Sequence, residues 1–327
     1  MMKLKHLFNN EDLAKMLLSN WEYDINSLDL FKYYRISANA VYPFRVNNKI
    51  CFLRFAASSE KSIENTWGEL EFIRYLNNSG YTSLEVELSK NKDELEIAQT
   101  PWGEYFAVVF KGVPGVQINK TGFDDGIVFG YGQSLGKLHR LSSGYVQQKY
   151  KRQSWNDVLD WICTVLSDFP DETLAAAEAR LLKDYFSALP ITDKNYGLIH
   201  YDFETDNVFY DAEHNTYHPI DFDDAMYHWF AADIEQSIDS MKEDIEQERY
   251  EHASKCFIDG YRTQFDISDD MLAIMPVFRR FANLYGYARI LRSTSETWNN
   301  EPEWMVNLRG YLNQLLNKRR IFFGESI

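Results

Sequence analysis

A chain of 327 residues with 45% hydrophobic and 16% aromatic residues can bury a large core, which excludes an intrinsically disordered protein. Its formal net charge of −15 argues against a nucleic acid partner, because phosphate contacts need basic surface. The three cysteines form no C-x-x-C pair, and no stretch approaches the roughly 20 apolar residues of a membrane span, so we predict a cytoplasmic protein with no membrane partner.

The first 110 residues alternate helical and extended patterns. Apolar residues at helical spacing predict a helix over Glu11–Trp21 and a longer one over Lys61–Asn78, which ends at Ser79-Gly80. Runs rich in aromatic and β-branched residues predict strands over Leu28–Ile36, Val41–Val46, Ile50–Phe55, Glu94–Gln99 and Glu104–Phe110. We therefore expect a small antiparallel sheet with one main helix.

The pattern changes at Lys111–Gly115, where we place the boundary between a lobe of residues 1–110 and a lobe of residues 111–327. Helical periodicity then dominates, with a capping box at Ser154–Asp157 and a long helix predicted over Glu172–Leu189. Short apolar segments predict small strands at Leu198-Ile199, Asn207–Tyr210 and Tyr217–Ile220. The tail from Ala231 is again helical, so the predicted fold class is α+β.

A run of 47 residues, Asn195–Met241, contains eleven acids and neither lysine nor arginine. Phosphoryl transfer from a nucleotide requires a divalent metal, a cation on the phosphates and a carboxylate that orients the attacking hydroxyl. The spacing predicts Asp202 as that carboxylate and Asn207 and Asp221 as metal ligands through oxygen. Asp223 is a candidate for a second ion or a water. The expected cofactors are Mg²⁺ and ATP.

Two segments carry a family resemblance, Leu198-Ile-His-Tyr-Asp-Phe-Glu-Thr-Asp-Asn207 and Ile220-Asp-Phe-Asp-Asp-Ala225. Over nearly its whole length the chain resembles the aminoglycoside phosphotransferase and choline kinase group, the small-molecule branch of the kinase-like fold. This resemblance implies a bilobal, protein-kinase-like fold with a small sheet lobe and a larger, mostly helical lobe. It also implies that Asp233 caps the catalytic loop and that His200 orients this loop, while Asp202 acts as base.

Two segments of the first lobe align with the nucleotide-binding parts of that family. Arg35–Tyr42 lies where the family covers the phosphates, but it contains no glycine, and the small side chains of Ser37 and Ala38 partly substitute. Phe106–Phe110 lies where the family offers backbone groups to adenine. The prediction concerns this segment, with Val108 and Phe110 as its representatives.

An arginine, Arg54, occupies the strand position that usually holds a phosphate-binding lysine in the family. Arginine can bind phosphate through two parallel hydrogen bonds, but it differs from lysine in reach and hydration. Its expected partner is Glu69 on the following helix, and Glu71 and Glu64 on the same helix are alternatives.

Acids and aromatic residues close to the motif suggest an acceptor that carries an ammonium group, by charge and cation–π attraction. The candidates are Tyr201, Glu204, Asp206, Asp224 and Trp229, with Tyr285, Tyr287 and Trp304 further along the chain. The alternative is that most of these aromatic residues belong to the core.

The leading interpretation is an ATP- and Mg²⁺-dependent phosphotransferase that acts on a hydroxyl of a small, amine-bearing molecule, working as a monomer or homodimer. A serine/threonine protein kinase of the same fold is an alternative, but neither a G-x-G-x-x-G loop nor an A-P-E segment is present. The missing glycines and Arg54 leave open a non-catalytic nucleotide-binding module. A metal-dependent hydrolase is the weakest alternative.

Overall fold

The computed structural model of the protein describes the backbone of residues 1–327 and every side chain apart from that of residue 322. The helices are α1 (Glu11–Leu18), α2 (Ile63–Asn78), α3 (Asp125–Ser142), α4 (Trp155–Ser167), α5 (Thr173–Ala188), α6 (Phe230–Met241), α7 (Gln247–Arg262), α8 (Asp269–Ala273), α9 (Met275–Thr294) and α10 (Glu303–Arg319). The strands are β1 (Arg35–Ile36), β2 (Ala40–Val46), β3 (Lys49–Ala57), β4 (Val86–Glu87), β5 (Glu96–Thr100), β6 (Gly103–Lys111), β7 (Val116–Gln117), β8 (Tyr196–Ile199), β9 (Val208–Asp211), β10 (Thr216–Pro219) and β11 (Met226–Trp229).

The first lobe is an antiparallel sheet in the order β1-β2-β3-β6-β4, with β5 paired to β6. Side chains alternate along β6: Val108 joins the core under α2, whereas Ala107 and Val109 join the core under α1. Helices therefore cover both faces of the central strands, which explains why β3 and β6 are almost continuously apolar. The α2 core continues into the second lobe.

One predicted strand was wrong. Residues Ile25–Tyr33 form a 3₁₀ helix, and only Arg35–Ile36 of the predicted segment Leu28–Ile36 pairs as a strand. Leu28 and Phe31 lie three residues apart, a spacing that places both side chains on one face of a 3₁₀ helix, and Phe31 is buried against the sheet. Aromatic content alone favoured the strand.

The second lobe is mostly helical, and its two small sheets frame the acidic run. β8 pairs with β11, and β9 pairs with both β10 and β7. Behind them α3 and α7 pack at backbone distance: a Cβ on Gly132 would lie 2.0 Å from the carbonyl oxygen of Phe257, and one on Gly260 would lie 2.0 Å from that of Phe129. Only glycine allows this approach. No helix of the described residues combines the length and apolar character needed to cross a bilayer.

His228, on β11, is fully buried among aromatic rings, with the Phe281 ring at 4.8 Å and the Phe186 ring at 5.3 Å. Its Nδ1 accepts a hydrogen bond from the backbone N–H of Trp229 at 2.9 Å. Burial lowers the pKa of His228 to about 3. The folded protein therefore contains this histidine in its neutral form at any pH above that value.

We expect this buried histidine to make stability depend on pH. The unfolded chain binds a proton at His228 below its ordinary pKa of about 6.5, and the folded chain does not, so stability falls as pH falls from 7.5 to 4.5. The expected contribution is about 3 kcal/mol. Urea unfolding of the wild type and of His228→Phe at both pH values measures it. The variant should lose less stability on acidification, and parallel losses would contradict the assignment.

Candidate active site

The catalytic loop joins β8 to β9 and brings Asp202 and Asn207 together. The Asn207 side-chain amide donates to Asp202 Oδ2 at 2.8 Å and to the Asp202 carbonyl oxygen at 3.2 Å. Because the amide N–H groups point to Asp202, the side-chain oxygen of Asn207 is available to a cation. Withdrawal from water raises the pKa of Asp202 well above its usual range, and the negative charges of Glu204 and Asp221 raise it further.

Asp233, in the first turn of α6, anchors the start of this loop. Its fully buried carboxylate accepts the backbone N–H groups of His200 at 2.8 Å and Tyr201 at 2.7 Å, and it contacts His139 Nε2 at 3.1 Å. Tyr201 has a φ of 62°, a left-handed conformation that favours glycine, so these bonds stabilise a strained backbone. The predicted capping role of Asp233 is confirmed.

His200 orients the loop and is poorly suited to act as a base. Its ring is fully buried against Phe222, with centroids 4.3 Å apart, and its Nδ1 accepts the backbone N–H of Asp202 at 3.2 Å. Burial lowers the pKa of His200 to about 4, so the ring is neutral near pH 7.

Asp221 follows β10 in a left-handed conformation, with a φ of 62°. Its Oδ1 is buried and has no hydrogen-bond partner, although 46% of the side chain as a whole is exposed. The nearest cation is Arg54, whose Nη1 lies 3.6 Å from that oxygen. A buried carboxylate oxygen without a partner is costly unless a ligand compensates it, and a hard cation provides such compensation.

Oδ2 of Asp223 binds two residues of the first lobe. Asn39 donates to its Oδ2 at 3.0 Å, and the Lys61 ammonium forms an ion pair with the same oxygen. Burial alone would raise the pKa of Asp223, but Lys61 and Arg54 lower it below its usual range. These contacts hold Oδ2 of Asp223 against Asn39 and Lys61, and a role of Asp223 as a metal ligand stays a prediction.

Arg54 and Glu69 form a buried, two-pronged ion pair. Nη1 and Nη2 of Arg54 lie 2.8 and 2.6 Å from the two carboxylate oxygens of Glu69, and the guanidinium lies 4.8 Å from the ring centre of Phe110. Glu71 instead accepts backbone N–H groups at residues 149 and 150, and Glu64 accepts the Ser62 hydroxyl. The structure thus selects Glu69 among the three glutamates.

The predicted nucleotide-contacting residues differ in accessibility. Ser37 is exposed and Ala38 is half-buried in the turn between β1 and β2, where a ligand can reach them. Val108 and Phe110 are core residues of the sheet, 2% and 4% exposed. The prediction concerned backbone groups of the segment Phe106–Phe110, and contact of this segment with adenine stays a prediction.

The predicted acceptor residues also separate into two groups. Trp229 is fully buried in the core and Tyr201 is 5% exposed, so the structure does not support a ligand-binding face on either ring. Glu204 and Asp206 are half-buried on the catalytic loop. Asp224 is neutralised by Arg289, whose two nitrogens lie 2.6 and 3.2 Å from its carboxylate oxygens.

The aromatic residues later in the chain follow the same pattern. Tyr287 is fully buried, and Tyr285 is 8% exposed with the Arg289 guanidinium 4.9 Å from its ring centre. Trp304 is exposed on α10 and packs against Phe8 at 5.3 Å. The alternative that most of these aromatic rings belong to the core holds for Tyr201, Trp229, Tyr285 and Tyr287.

A model of the "Phosphotransferase enzyme family" matches residues 37–262, which include the loop at residues 37–39, the catalytic loop and Asp221. The chain belongs to this phosphotransferase family. It is 22% identical to amicoumacin kinase of Bacillus subtilis (strain 168) over 322 residues, 94% of this chain and 93% of that protein. The predicted enzyme class and family are confirmed, and the compared relatives are kinases named for small molecules.

Solved structures show that this phosphotransferase has the kinase-like bilobal fold. An amicoumacin kinase in complex with AMP-PNP, Ca²⁺ and Ami superimposes with a TM-score of 0.77 at 21% identity, covering 96% of this chain and 95% of that one. A microcompartment-associated aminopropanol kinase superimposes with a TM-score of 0.70 at 19% identity, covering 95% and 96%. The predicted fold class is therefore confirmed.

Four residues of this phosphotransferase site were missed by sequence reasoning: Asn39, Lys61, Arg152 and Arg289. Each acts on the segment Asp221–Ala225 from a distant part of the chain. Arg152 lies two residues before Ser154, which begins the capping box of α4. The box predicts where this helix starts, but it does not predict the partners of Arg152. The other three carry no local pattern.

Proposed function

We propose that this phosphotransferase transfers the γ-phosphate of ATP, in the presence of Mg²⁺, to a hydroxyl of a small molecule that carries an amine. The observation that carries the proposal is the convergence of Asp202, Asn207, Asp221 and the Arg54–Glu69 pair. Asn207 binds Asp202, the Asn207 carbonyl oxygen accepts the backbone N–H of Ile220 at 2.8 Å, and Arg54 lies between Glu69 and Asp221. These groups supply the base, the metal ligands and the phosphate-binding cation that the reaction requires.

The donor side combines a fixed cation with a loop of small residues. Both nitrogens of Arg54 bind the buried Glu69, so the guanidinium has one orientation, with Nη1 turned toward Asp221. A preorganised charge of this kind stabilises charge that develops on a transferring phosphoryl group without reorganisation. The loop at residues 37–39 is held by the hydrogen bond from Asn39 to Asp223.

The oxygen atoms of Asp221 and Asn207 fit a hard divalent cation. No group of three or more His, Cys, Asp or Glu side chains among the described residues could hold a metal ion alone. Mg²⁺ is commonly bound by one or two carboxylates together with substrate phosphates, so a small protein donor set is consistent with it. When bound, Mg²⁺ would neutralise charge on the β- and γ-phosphates.

Asp202 is proposed to orient the acceptor hydroxyl and to take its proton. Oδ2 of Asp202 is held by Asn207, which leaves the other carboxylate oxygen for the acceptor. The raised pKa of Asp202 brings its basicity closer to that of an effective general base near neutral pH. The Asn207 amide holds the Asp202 carboxylate, and the hydrogen bond from the Asp202 backbone N–H to His200 Nδ1 holds its backbone.

A cavity of about 220 Å³ lies at the lobe junction beside Asp223 and Asp224, and neither Asp202 nor Glu204 is among its lining residues. Both lobes line it, through Ala38 and Lys61 from the first and Asp224, Trp161 and Tyr285 from the second. Its mixture of polar and aromatic side chains suits a polar organic molecule. Because ATP is the proposed donor, a cytoplasmic location is part of the same proposal.

Uncompensated acids on the catalytic loop support an ammonium group on the acceptor. Neither Glu204 nor Asp206 forms an ion pair with any residue that the structure describes. Burial, followed by the charges of Asp206 and Asp239, raises the pKa of Glu204 to about 7. A cationic group beside Glu204 would relieve this repulsion.

The proposal is tested by ADP formation with paired acceptors. Each amino alcohol of a panel is compared with its N-acetylated form, which keeps the hydroxyl and loses the charge. We expect kcat/KM to be about 10- to 100-fold higher for the free amines, since hydrogen bonds to charged groups contribute roughly 1.5–3 kcal/mol. Glu204→Gln should reduce this preference. Equal rates for both forms would contradict an amine-bearing acceptor, and no ADP with any acceptor would contradict the kinase.

A further inference from the structure

Arg152 lies between the two lobes and is only 5% exposed. Its Nε donates to the carbonyl oxygen of Ala225 at 2.8 Å, and its Nη2 donates to those of Asp223 at 2.7 Å and Phe222 at 3.3 Å. Its Nη1 donates to the carbonyl oxygen of Asn65 at 2.6 Å. One guanidinium therefore binds backbone on both sides of the lobe junction.

The backbone that Arg152 binds belongs to the parts that position the phosphate-binding groups. Residues Phe222–Asp224 form the short 3₁₀ turn that directly follows Asp221. Asn65 lies in the first turn of α2, the helix that carries Glu69 and so orients Arg54. Arg152 thus connects the loop of the proposed metal ligand to the helix of the phosphate-binding pair.

The hydrogen-bond partners of the Arg152 guanidinium are backbone carbonyl groups. It forms no ion pair within 4.0 Å with the carboxylates that the structure describes, and backbone carbonyl groups take up its donors. Buried carbonyl oxygens in a tight turn need such donors, because the turn itself satisfies few of them. Removing the guanidinium would leave the carbonyl oxygens of Asp223 and Ala225 without this donor, whereas that of Phe222 still accepts the backbone N–H of Ala225 at 3.1 Å.

The surroundings of Arg152 are adapted to hold it. A Cβ on Gly68 of α2 would lie 2.9 Å from Arg152 Cδ, so glycine at this helical position lets the side chain cross the helix. A glycine inside a helix costs about 1 kcal/mol relative to alanine, which the bonds of Arg152 offset. The backbone N–H of Arg152 is fixed as well, by the Gln147 side-chain oxygen at 2.7 Å.

We propose that Arg152 is a positioning residue: it fixes the turn after Asp221 against α2, so that the Asp221 carboxylate and the Arg54 guanidinium face the same phosphates. The expected effects of Arg152 on turnover rest on the proposed function. The structural consequence, a defined geometry for metal-dependent nucleotide binding, can be measured without turnover.

Arg152→Ala is the decisive variant. We expect kcat to fall about 100-fold, as a displacement of roughly 1 Å in a catalytic group can cause. The Mg²⁺ concentration for half-maximal activity should rise about tenfold, as for residues that orient metal ligands. Millimolar guanidinium, well below denaturing concentrations, should enter the vacated space and restore part of kcat. If kcat falls only in proportion to the unfolded fraction and guanidinium does not restore it, Arg152 has a purely structural role and the proposal is overturned.

Arg309→Ala is the matched control. Arg309 also donates to backbone, at the Thr294 carbonyl oxygen at 2.8 Å, but it pairs with Glu301 and lies outside the proposed site. This variant should lose stability while its Mg²⁺ dependence stays at the wild-type value, and guanidinium should not change its rate. A tenfold change in Mg²⁺ dependence here as well would overturn the specific role of Arg152.

Two further readouts separate this inference from the proposed function. If Arg152→Ala does not fold, Arg152→Lys is measured in its place. Lysine keeps the charge but cannot bind both the turn after Asp221 and α2, so this variant should still show a raised Mg²⁺ requirement. If the wild type forms no ADP with any acceptor, the kinase assignment fails, and the readout becomes the rise in melting temperature caused by AMP-PNP with Mg²⁺. An Arg152→Lys protein with the wild-type Mg²⁺ requirement, or with the wild-type melting response, would overturn the proposal.

Discussion

Replacement of Asp202 by asparagine is expected to lower kcat by about 10³-fold, because removal of a general base typically costs 10²- to 10⁴-fold. The amide keeps the size of the side chain and can still accept the hydrogen bond from Asn207, which lies 2.8 Å from Asp202 Oδ2. The nucleotide should therefore bind as tightly as in the wild type. Single-turnover ADP formation measures the first effect, and the melting-temperature response to AMP-PNP with Mg²⁺ measures the second.

Asp160→Asn is the control for the change from acid to amide. Asp160 lies on the exposed surface of α4, where it pairs with Lys183. Because exposed ion pairs contribute little, this variant should keep wild-type turnover and stability. An Asp202→Asn protein that retained more than a tenth of the wild-type kcat would exclude Asp202 as the base. If Asp202→Asn also lost nucleotide binding, its low kcat would indicate a folding defect and not the removal of a base.

Asp221→Asn is expected to have an effect of comparable size by a different route. The change removes the charge of a carboxylate whose Oδ1 has no hydrogen-bond partner, and metal coordination is worth several kcal/mol of transition-state stabilisation. We expect kcat at saturating ATP to fall about 10³-fold and the half-maximal Mg²⁺ concentration to rise at least tenfold. A Mg²⁺ titration at fixed nucleotide concentration measures both.

Asp223→Asn provides the comparison within the same loop. Asp223 binds Asn39 and Lys61, so the Asp223→Asn variant should hold the loop at residues 37–39 less firmly. We expect a higher KM for the nucleotide and an unchanged Mg²⁺ requirement. Asn39→Ala should have the same effect on KM. If Asp223→Asn instead raised the Mg²⁺ requirement as much as Asp221→Asn does, Asp223 would be a metal ligand, as the spacing of the sequence motif first predicted.

The sequence predicted those features that depend on neighbours along the chain. Hydrophobic periodicity predicted α2 as Lys61–Asn78, and the structure has Ile63–Asn78. The strand β9, predicted as Asn207–Tyr210, is Val208–Asp211. The prediction failed at Leu28–Ile36, where two local patterns disagree. The run of aromatic residues favours a strand, whereas the spacing of three residues fits the 3₁₀ helix that forms.

The spacing of Asp202, Asn207 and Asp221 predicted the enzyme class that the family match confirms, and it predicts these three residues as the base and the metal ligands. The contacts that hold the segment after Asp221 could be identified only in the folded chain. Lys61 and Asp223 are separated by 162 residues, and Arg289 and Asp224 by 65. The Lys61–Asp223 pair forms only when the two lobes pack together, and the Arg289–Asp224 pair forms only when α9 packs beside the turn within the second lobe. A charged side chain has no local preference for a distant partner. The contacts of the Asp223 carboxylate with Asn39 and Lys61, and those of the Arg152 guanidinium with the backbone of the turn, therefore follow from the packing of distant segments and not from motif spacing.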